Sequence, residues 1–259
     1  MRALVKNLFT YRHLIYILVV REISGQYRQS ALGTLWKVAQ PIGMTLLFIL
    51  INLVIPLSQE NVPYPLYVFA AMVPWTFFTS AFVTGSDSII ANSDLIKKIY
   101  FPREILIIQA FGSALLDFFI AFGFWLILKL IYHSPFSWVL IFLPLILAIQ
   151  VTFTLGLSFL VASFNFIRRD INHLRGLLLQ IWFYFTPIVY SPKVIPQNVH
   201  TIYYLNPMVG LTQSYRSIFI SGQPPDFFLL IWPTLLSIGV MFIGYKFFKR
   251  MEPLMADIV

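Results

Sequence analysis

The sequence predicts an all-α integral membrane protein with six transmembrane helices. An N-terminal amphipathic interface helix and two short re-entrant helices on the outer side complete the fold. Three observations carry that expectation. First, six long apolar segments stand at 32–56, 65–82, 105–131, 138–164, 174–189 and 227–248. A helix rises about 1.5 Å per residue, so about 20 apolar residues cross a hydrocarbon core of about 30 Å. The fifth segment is the shortest and needs flanking residues to span. Second, hydrophobic residues make up 59% of the chain and charged residues 11%, against about 25% charged in a soluble domain. Mean hydropathy is +0.80. Third, the basic residues gather at alternate ends of the segments. Of the 18 Lys and Arg, all but Lys129, Lys193 and Arg216 fall on the side that receives both termini in a six-span layout. Basic residues near span ends stay in the cytoplasm. Both termini are therefore expected there, and the net charge of +8 reads as a topology signal with some attraction for anionic lipid rather than for nucleic acid.

The elements follow in order along one transmembrane domain, 1–259. Residues 11–29 are too polar to cross. As a helix they place Tyr16, Val19, Val20, Ile23 and Tyr27 on one stripe, with Arg21 and Arg28 on the other side. Such a stripe with basic flanks lies in the membrane interface, either as a lipid anchor or as a docking helix. Between the second and third segments, 92–103 is charged and compact, running Asn92-Ser93-Asp94 through Lys97-Lys98 to Tyr100-Phe101-Pro102-Arg103. Asn92 or Ser93 caps a short helix and Pro102 ends it. Aromatic residues among these charges suggest a docking surface.

Segment 191–225 is too long for an ordinary connection and too apolar for a free loop. Asn206-Pro207 reads as a cap followed by proline at the first helical position. Met208, Leu211, Tyr215 and Phe219 then repeat at helical spacing until Gly222 stops the run, with Gln213, Arg216 and Ser217 expected to face water. A second short helix is expected over 196–205, with Val199, Ile202 and Tyr203 on one side. Two half-polar helices here imply a re-entrant pair, which survives at membrane depth only against protein or a water-filled cavity. No internal repeat is evident, which weighs against inverted-repeat transporters. Neither a cleaved signal peptide nor a soluble domain at either end is expected.

The chemistry narrows the function. No phosphate loop of the G-x-x-x-x-G-K-[ST] type exists, so the chain is not expected to hydrolyse ATP. Cysteine is absent, the four His are scattered, and neither H-E-x-x-H nor G-x-S-x-G occurs, so no metal and no catalytic residue is expected. Asp117 is the one acid deep inside a segment, where a structural hydrogen bond is the simplest role and a proton relay the alternative. Asp87 reads as a polar helix end reaching water. Two aromatic clusters stand out: Trp75, Phe77 and Phe78 after Pro74, and Trp182, Phe183, Tyr184 and Phe185 before Thr186-Pro187. Lipid contact is the default for such rings. An aromatic conduit, with Trp75, Phe78, Trp182, Tyr184 and Phe185 lining it, suits a glycan better than an ion, because sugars present apolar C–H faces.

Four stretches make the chain similar to a known family. They are Arg21-Glu22-Ile23 with Gln26-Tyr27-Arg28-Gln29-Ser30-Ala31-Leu32-Gly33, Leu35-Trp36 and Gln40-Pro41; then Tyr100-Phe101-Pro102-Arg103-Glu104; then Arg168-Arg169-Asp170-Ile171 with Thr186-Pro187-Ile188-Val189-Tyr190; and Leu205-Asn206-Pro207-Met208 with Tyr215-Arg216. In that order they resemble the permease subunits of polysaccharide-exporting ABC transporters, the O-antigen, teichoic-acid and capsule group. The resemblance implies a half-transporter in the bacterial inner membrane. Two copies form the channel, and two separate ATPase subunits bind ATP and Mg, so no cofactor is expected in this chain. It implies that 11–29 is the interface helix, that 92–103 is the coupling and gating loop, and that 191–225 is the periplasmic gate. Coupling then falls to Arg21, Arg28, Lys97, Lys98, Tyr100 and Arg103, and the outer gate to Tyr203, Asn206, Pro207, Leu211 and Tyr215. The substrate is a lipid-linked glycan. No sugar-binding domain is fused, so any such domain belongs to the ATPase. A drug or small-lipid exporter of the same superfamily and a membrane-embedded sugar transferase are the competing readings. A plain channel lacks the rings of charge it needs.

Overall fold

The computed structural model describes residues 2–27, 35–54, 62–165 and 171–253. No strand occurs among them. The chain opens with α1 (Arg2–Thr10) and α2 (Arg12–Tyr27), followed by α3 (Leu35–Val54), α4 (Tyr64–Ala91), the short α5 (Ser93–Lys98) and α6 (Glu104–Ile131). A 3₁₀ turn, Trp138–Phe142, leads into α7 (Leu143–Asn165), and α8 (Ile171–Tyr184) follows. Two 3₁₀ turns, Pro192–Val194 and Gln197–Val199, precede α9 (His200–Tyr204) and α10 (Pro207–Arg216). α10 continues as a π-helical turn, Ser217–Ser221, and α11 (Phe227–Met251) closes the fold.

Among the described residues, four helices are long and apolar enough to cross a membrane: α4, α6, α7 with its preceding turn, and α11. The expected first and fifth spans border residues outside the described ones: among the described residues they show as the 20-residue α3 and the 14-residue α8. α8 stops at Tyr184 because Pro187 has no N–H to continue the ladder, and the chain turns through Thr186, whose carbonyl accepts from the Ile188 N–H at 2.7 Å. The second expected span is longer than anticipated. α4 runs on through Thr84-Gly85-Ser86-Asp87-Ser88, because Ser86 and Ser88 donate to carbonyls of their own helix and Asp87 finds partners on α7 and α8.

α4 is the hub. Its Phe69, Phe77 and Phe78 are buried, and it packs against α3, α6, α7 and α10. Gln150 of α7 ties three helices together. Its side-chain amide donates to the Pro74 carbonyl of α4 at 2.7 Å and its oxygen accepts from the Tyr215 hydroxyl of α10 at 2.7 Å. Satisfied side-chain bonds of this kind join helices where apolar burial gives little drive, since lipid is as apolar as leucine. α7 meets α11 backbone to backbone: a Cβ on Gly156 would lie 2.5 Å from the Met241 nitrogen, and one on Gly244 2.2 Å from the Gly156 oxygen.

α2 lies against α6, mainly beside the expected stripe. Leu18 is buried and Val19 sits over Gly112, while Tyr16 and Val20 are exposed. α2 is apolar on two sides, and the side carrying Leu14, Ile15 and Leu18 faces the bundle.

Candidate functional site

At one end of the bundle stand α5, both described termini and the loop to α6. The side chain of Asn92, at the α4–α5 junction, does not cap α5. It donates to the Ser88 carbonyl at 2.8 Å and accepts from the Arg21 guanidinium of α2. Past α5 the chain is extended at Ile99, so the short helix ends before Pro102 is reached. Lys97 and Lys98 are exposed, Tyr100 is 99% exposed, and Phe101 is buried as an anchor. Arg28, like 168–170, lies outside the described residues.

Beneath this loop is a cluster that sequence reasoning missed. Glu104, fully buried at the start of α6, accepts from the Asn7 amide of α1 at 2.9 Å and from the Lys249 ammonium of α11. Lys249 also pairs with Glu252 at 2.8 Å, and Arg103 donates from its backbone and guanidinium to Glu252. Glu104 thus joins the first helix to the end of the last, and Glu252 ties that end to the loop through Arg103. The partners of Glu104 lie about 100 and 150 residues away in sequence, so no local signal marks it. The cluster borders a cleft of about 420 Å³ that includes Tyr11, Tyr100 and Pro253.

Nearby, Asp87 is no solvated helix end. Both its oxygens accept from the Arg175 guanidinium, at 2.9 and 2.7 Å, and Asn165 adds a third bond at 2.8 Å.

At the other end, the turn after α8 meets α10. With Pro187 breaking the helix, several carbonyls lose their helical donors. Asn206 donates to the Phe185 carbonyl at 3.1 Å and the Thr186 hydroxyl at 3.2 Å, Arg216 to the Ile188 carbonyl at 2.7 Å, Tyr64 to Val189 at 2.8 Å and Tyr67 to Tyr190 at 3.1 Å. Asn206 also caps α10 by accepting from the Met208 N–H at 3.0 Å, and it takes the Trp182 indole proton at 2.8 Å. Pro207 occupies the first turn of α10. Met208, Leu211, Tyr215 and Phe219 are fully buried in the bundle. Arg216, expected to face water, is buried instead. Its guanidinium stacks 3.7 Å over the Tyr67 ring, an attraction that offsets part of the cost of taking the cation out of water. Tyr203 is buried while Val199 and Ile202 are exposed, so the three do not share a packed side. Burial pushes the phenol pKa values of Tyr190 and Tyr203 up, so both stay neutral hydrogen-bonding groups. The chain leaves the π turn at Gly222, whose φ of 62° suits glycine. Lys129 of α6, buried beside Trp125 and Phe136, donates to the Phe219 carbonyl at 2.7 Å.

The aromatic set divides. Trp75 and Phe78 are buried within the chain, 5.6 Å from Phe183 and 5.2 Å from Trp182 respectively. Trp182 is half-buried, and Tyr184 and Phe185 are exposed. Only the last three offer surface in this conformation. α3 joins the cluster through Phe48, 5.9 Å from Phe183. No group of three or more His, Asp and Glu that could hold a metal occurs among the described residues.

Among the described residues, four helices long and apolar enough to span define a multi-pass membrane protein. Residues 13–220 match the ABC-2 type transporter model, and the chain belongs to that family. It is 33% identical over 229 residues to the O-antigen export system permease protein RfbA of Myxococcus xanthus, with 87% of each chain covered. A Klebsiella pneumoniae protein of the same description is 28% identical over 250 residues, at 95% of each chain. The polysialic acid transport protein KpsM of Escherichia coli is 22% identical over 246 residues, covering 92% of this chain and 93% of its own.

Proposed function

We propose that this chain is the membrane-spanning permease of an ATP-driven exporter that moves an O-antigen-like, lipid-linked polysaccharide across the bacterial inner membrane. The observation that carries the reading is near-full-length similarity to an export permease and a transport protein named for two different polysaccharides, O-antigen and polysialic acid. Similarity over one motif would point only to the superfamily. Similarity over the whole membrane domain points to a shared kind of cargo.

In this reading α3 and α8 complete six spans, using flanking residues and the neighbouring copy to cover their ends. Both termini are cytoplasmic. Support for that comes from the basic residues and from the meeting of α1, α6 and α11 at Glu104. Two copies assemble with two ATPase subunits, which bind ATP and Mg. α2, with Arg21 and Arg28, and loop 92–103, with Lys97, Lys98, Tyr100 and Arg103, take the ATPase. Full exposure of the Tyr100 ring, on a loop anchored by Phe101 and Arg103, supports a docking role. Segment 191–225 is the outer gate. α10 is its re-entrant helix, and Tyr203, Asn206, Pro207, Leu211 and Tyr215 hold it closed against α4 and α7.

The test is deletion of the gene in its own cell, followed by staining of intact cells and of lysates for the glycan. Loss of surface glycan with internal lipid-linked glycan retained, restored by the wild-type gene, is the expected result. Unchanged surface glycan in the deletion strain overturns the reading.

A further inference from the structure

Midway along the bundle a cleft of about 410 Å³ lies between α3, α4 and α6. Its wall is polar where the bundle is expected to be most apolar. Asp117 stands near the middle of the 28-residue α6. Thr76, Thr79 and Ser80 stand near the middle of α4, also 28 residues long, and Thr84 follows one turn on. At about 1.5 Å per residue, the mid-helix residues sit about 20 Å from either helix end. Gln40 of α3 faces them across the cleft. Away from the cleft α4 is packed: its rings at 75 and 78 are buried. These hydroxyls therefore occupy the side of the hub helix that the chain leaves partly open.

Thr76 and Thr79 donate to carbonyls of their own helix, at 2.9 and 3.1 Å, and keep lone pairs for an incoming donor. Among the described residues, Ser80 and Thr84 have no partner for their hydroxyls. Hydrocarbon cannot satisfy such groups. A polar group without a partner costs several kcal/mol there, and acids within spans face protein or water. The cleft therefore opens on water, and in an exporter the water at mid-membrane is the transport path. Its floor carries the Phe118 ring and Ala121. Apolar surface beside acceptors and donors matches a sugar, which has C–H faces and hydroxyls. Shallow contacts also suit a moving chain, since a pathway must bind weakly enough to let its cargo leave.

We infer that this cleft is a saccharide-contact site on the wall of the export path, where Asp117, Gln40, Ser80 and Thr84 exchange hydrogen bonds with sugar hydroxyls in place of water. The inference rests on the polysaccharide reading above. It replaces an aromatic conduit with a hydroxyl, amide and carboxyl wall.

The test uses the assembled exporter in cells. The chain has no cysteine, so single substitutions Ser80→Cys and Thr84→Cys can be probed with a small, charged, water-soluble thiol reagent. Phe119→Cys and Phe242→Cys, at exposed mid-helix positions of α6 and α11, report on lipid-facing sites. Residues 80 and 84 should label at least tenfold faster than 119 and 242. They should label several-fold more slowly in cells making the glycan than in cells where its assembly is blocked. Labelling as slow as the controls overturns the inference, even where the wild-type gene restores surface glycan. Fast labelling that ignores the glycan also overturns saccharide contact. Asp117→Asn, which keeps size and shape, should lower the rate of surface glycan appearance several-fold at equal amounts of complex; an unchanged rate removes Asp117 from the site. Failure of the function itself is read separately, as a deletion strain with normal surface glycan.

Discussion

The start of α8 is held by an ion pair. Leu174, Leu177, Leu178 and Ile181 are exposed along it, so few apolar contacts hold its start. Arg175, 8% exposed, instead grips both oxygens of Asp87, whose side chain is 36% exposed. Asp87→Ala leaves a guanidinium buried without its counter-ion. Removing one partner of a fully buried pair costs about 3–5 kcal/mol. With Asp87 a third exposed, water screens part of that, and about 2 kcal/mol is expected. Replacing both partners by apolar residues removes the stranded charge as well. The double variant Asp87→Ala with Arg175→Leu should therefore lose less than about 1 kcal/mol. At about 2–4 °C per kcal/mol for a chain of this size, Asp87→Ala should lower the melting temperature in detergent by about 4–8 °C. The double variant should stay within about 4 °C of wild type. Retention of the folded peak on size exclusion after graded heating reads both. A double variant as unstable as Asp87→Ala refutes the reasoning, because the stranded charge would then not be the source of the loss.

Gly156→Ala should destabilise by about 1–3 kcal/mol, the range for overpacking, because its new Cβ meets the Met241 backbone; Gly239→Ala, with nothing within 4 Å, is the control and should not lower the melting temperature. Lys129→Met should change stability by less than about 1 kcal/mol, since it removes a desolvated cation along with its bond. Amide exchange over 217–222 should nevertheless rise at least tenfold, and unchanged exchange would dismiss Lys129 as the restraint on the π turn. Tyr100→Ala should leave the melting temperature untouched and weaken ATPase binding by about 1–3 kcal/mol, as an anchor residue does; equal affinity in a pull-down titration counts against the loop as docking site. Reporter fusions at residue 259 and within 196–205 should give opposite sidedness, and the same sidedness for both would sink the six-span layout.

Signals that act within a few residues were legible in the sequence. α6, α7 and α11 are long and apolar throughout. The Asn206-Pro207 cap and the Gly222 stop are local chemistry, and both occur as expected. What stayed hidden depends on distant partners. The polar run 84–88 looked like a helix leaving the membrane, because its acid is matched by Arg175, far along the chain. Arg216 looked solvated, because only the fold brings Tyr67 and the carbonyl of Ile188 to it. α2 carries apolar residues on two sides, so periodicity alone does not show which side meets α6; Leu18 and Val19 make that contact. Glu104 stood in the sequence only as the last residue of the Tyr100–Glu104 stretch, with nothing to show that it is buried or which residues it pairs with.

The close approach of α7 and α11 sets a limit on the sequence. With no side chain at Gly156 or Gly244, each helix presents bare backbone to the other, and a Cβ placed at either position would meet main-chain atoms at 2.5 or 2.2 Å. The two positions therefore act as a gauge of helix spacing: any larger residue must part the helices, and with them the end of α11 that reaches Glu104.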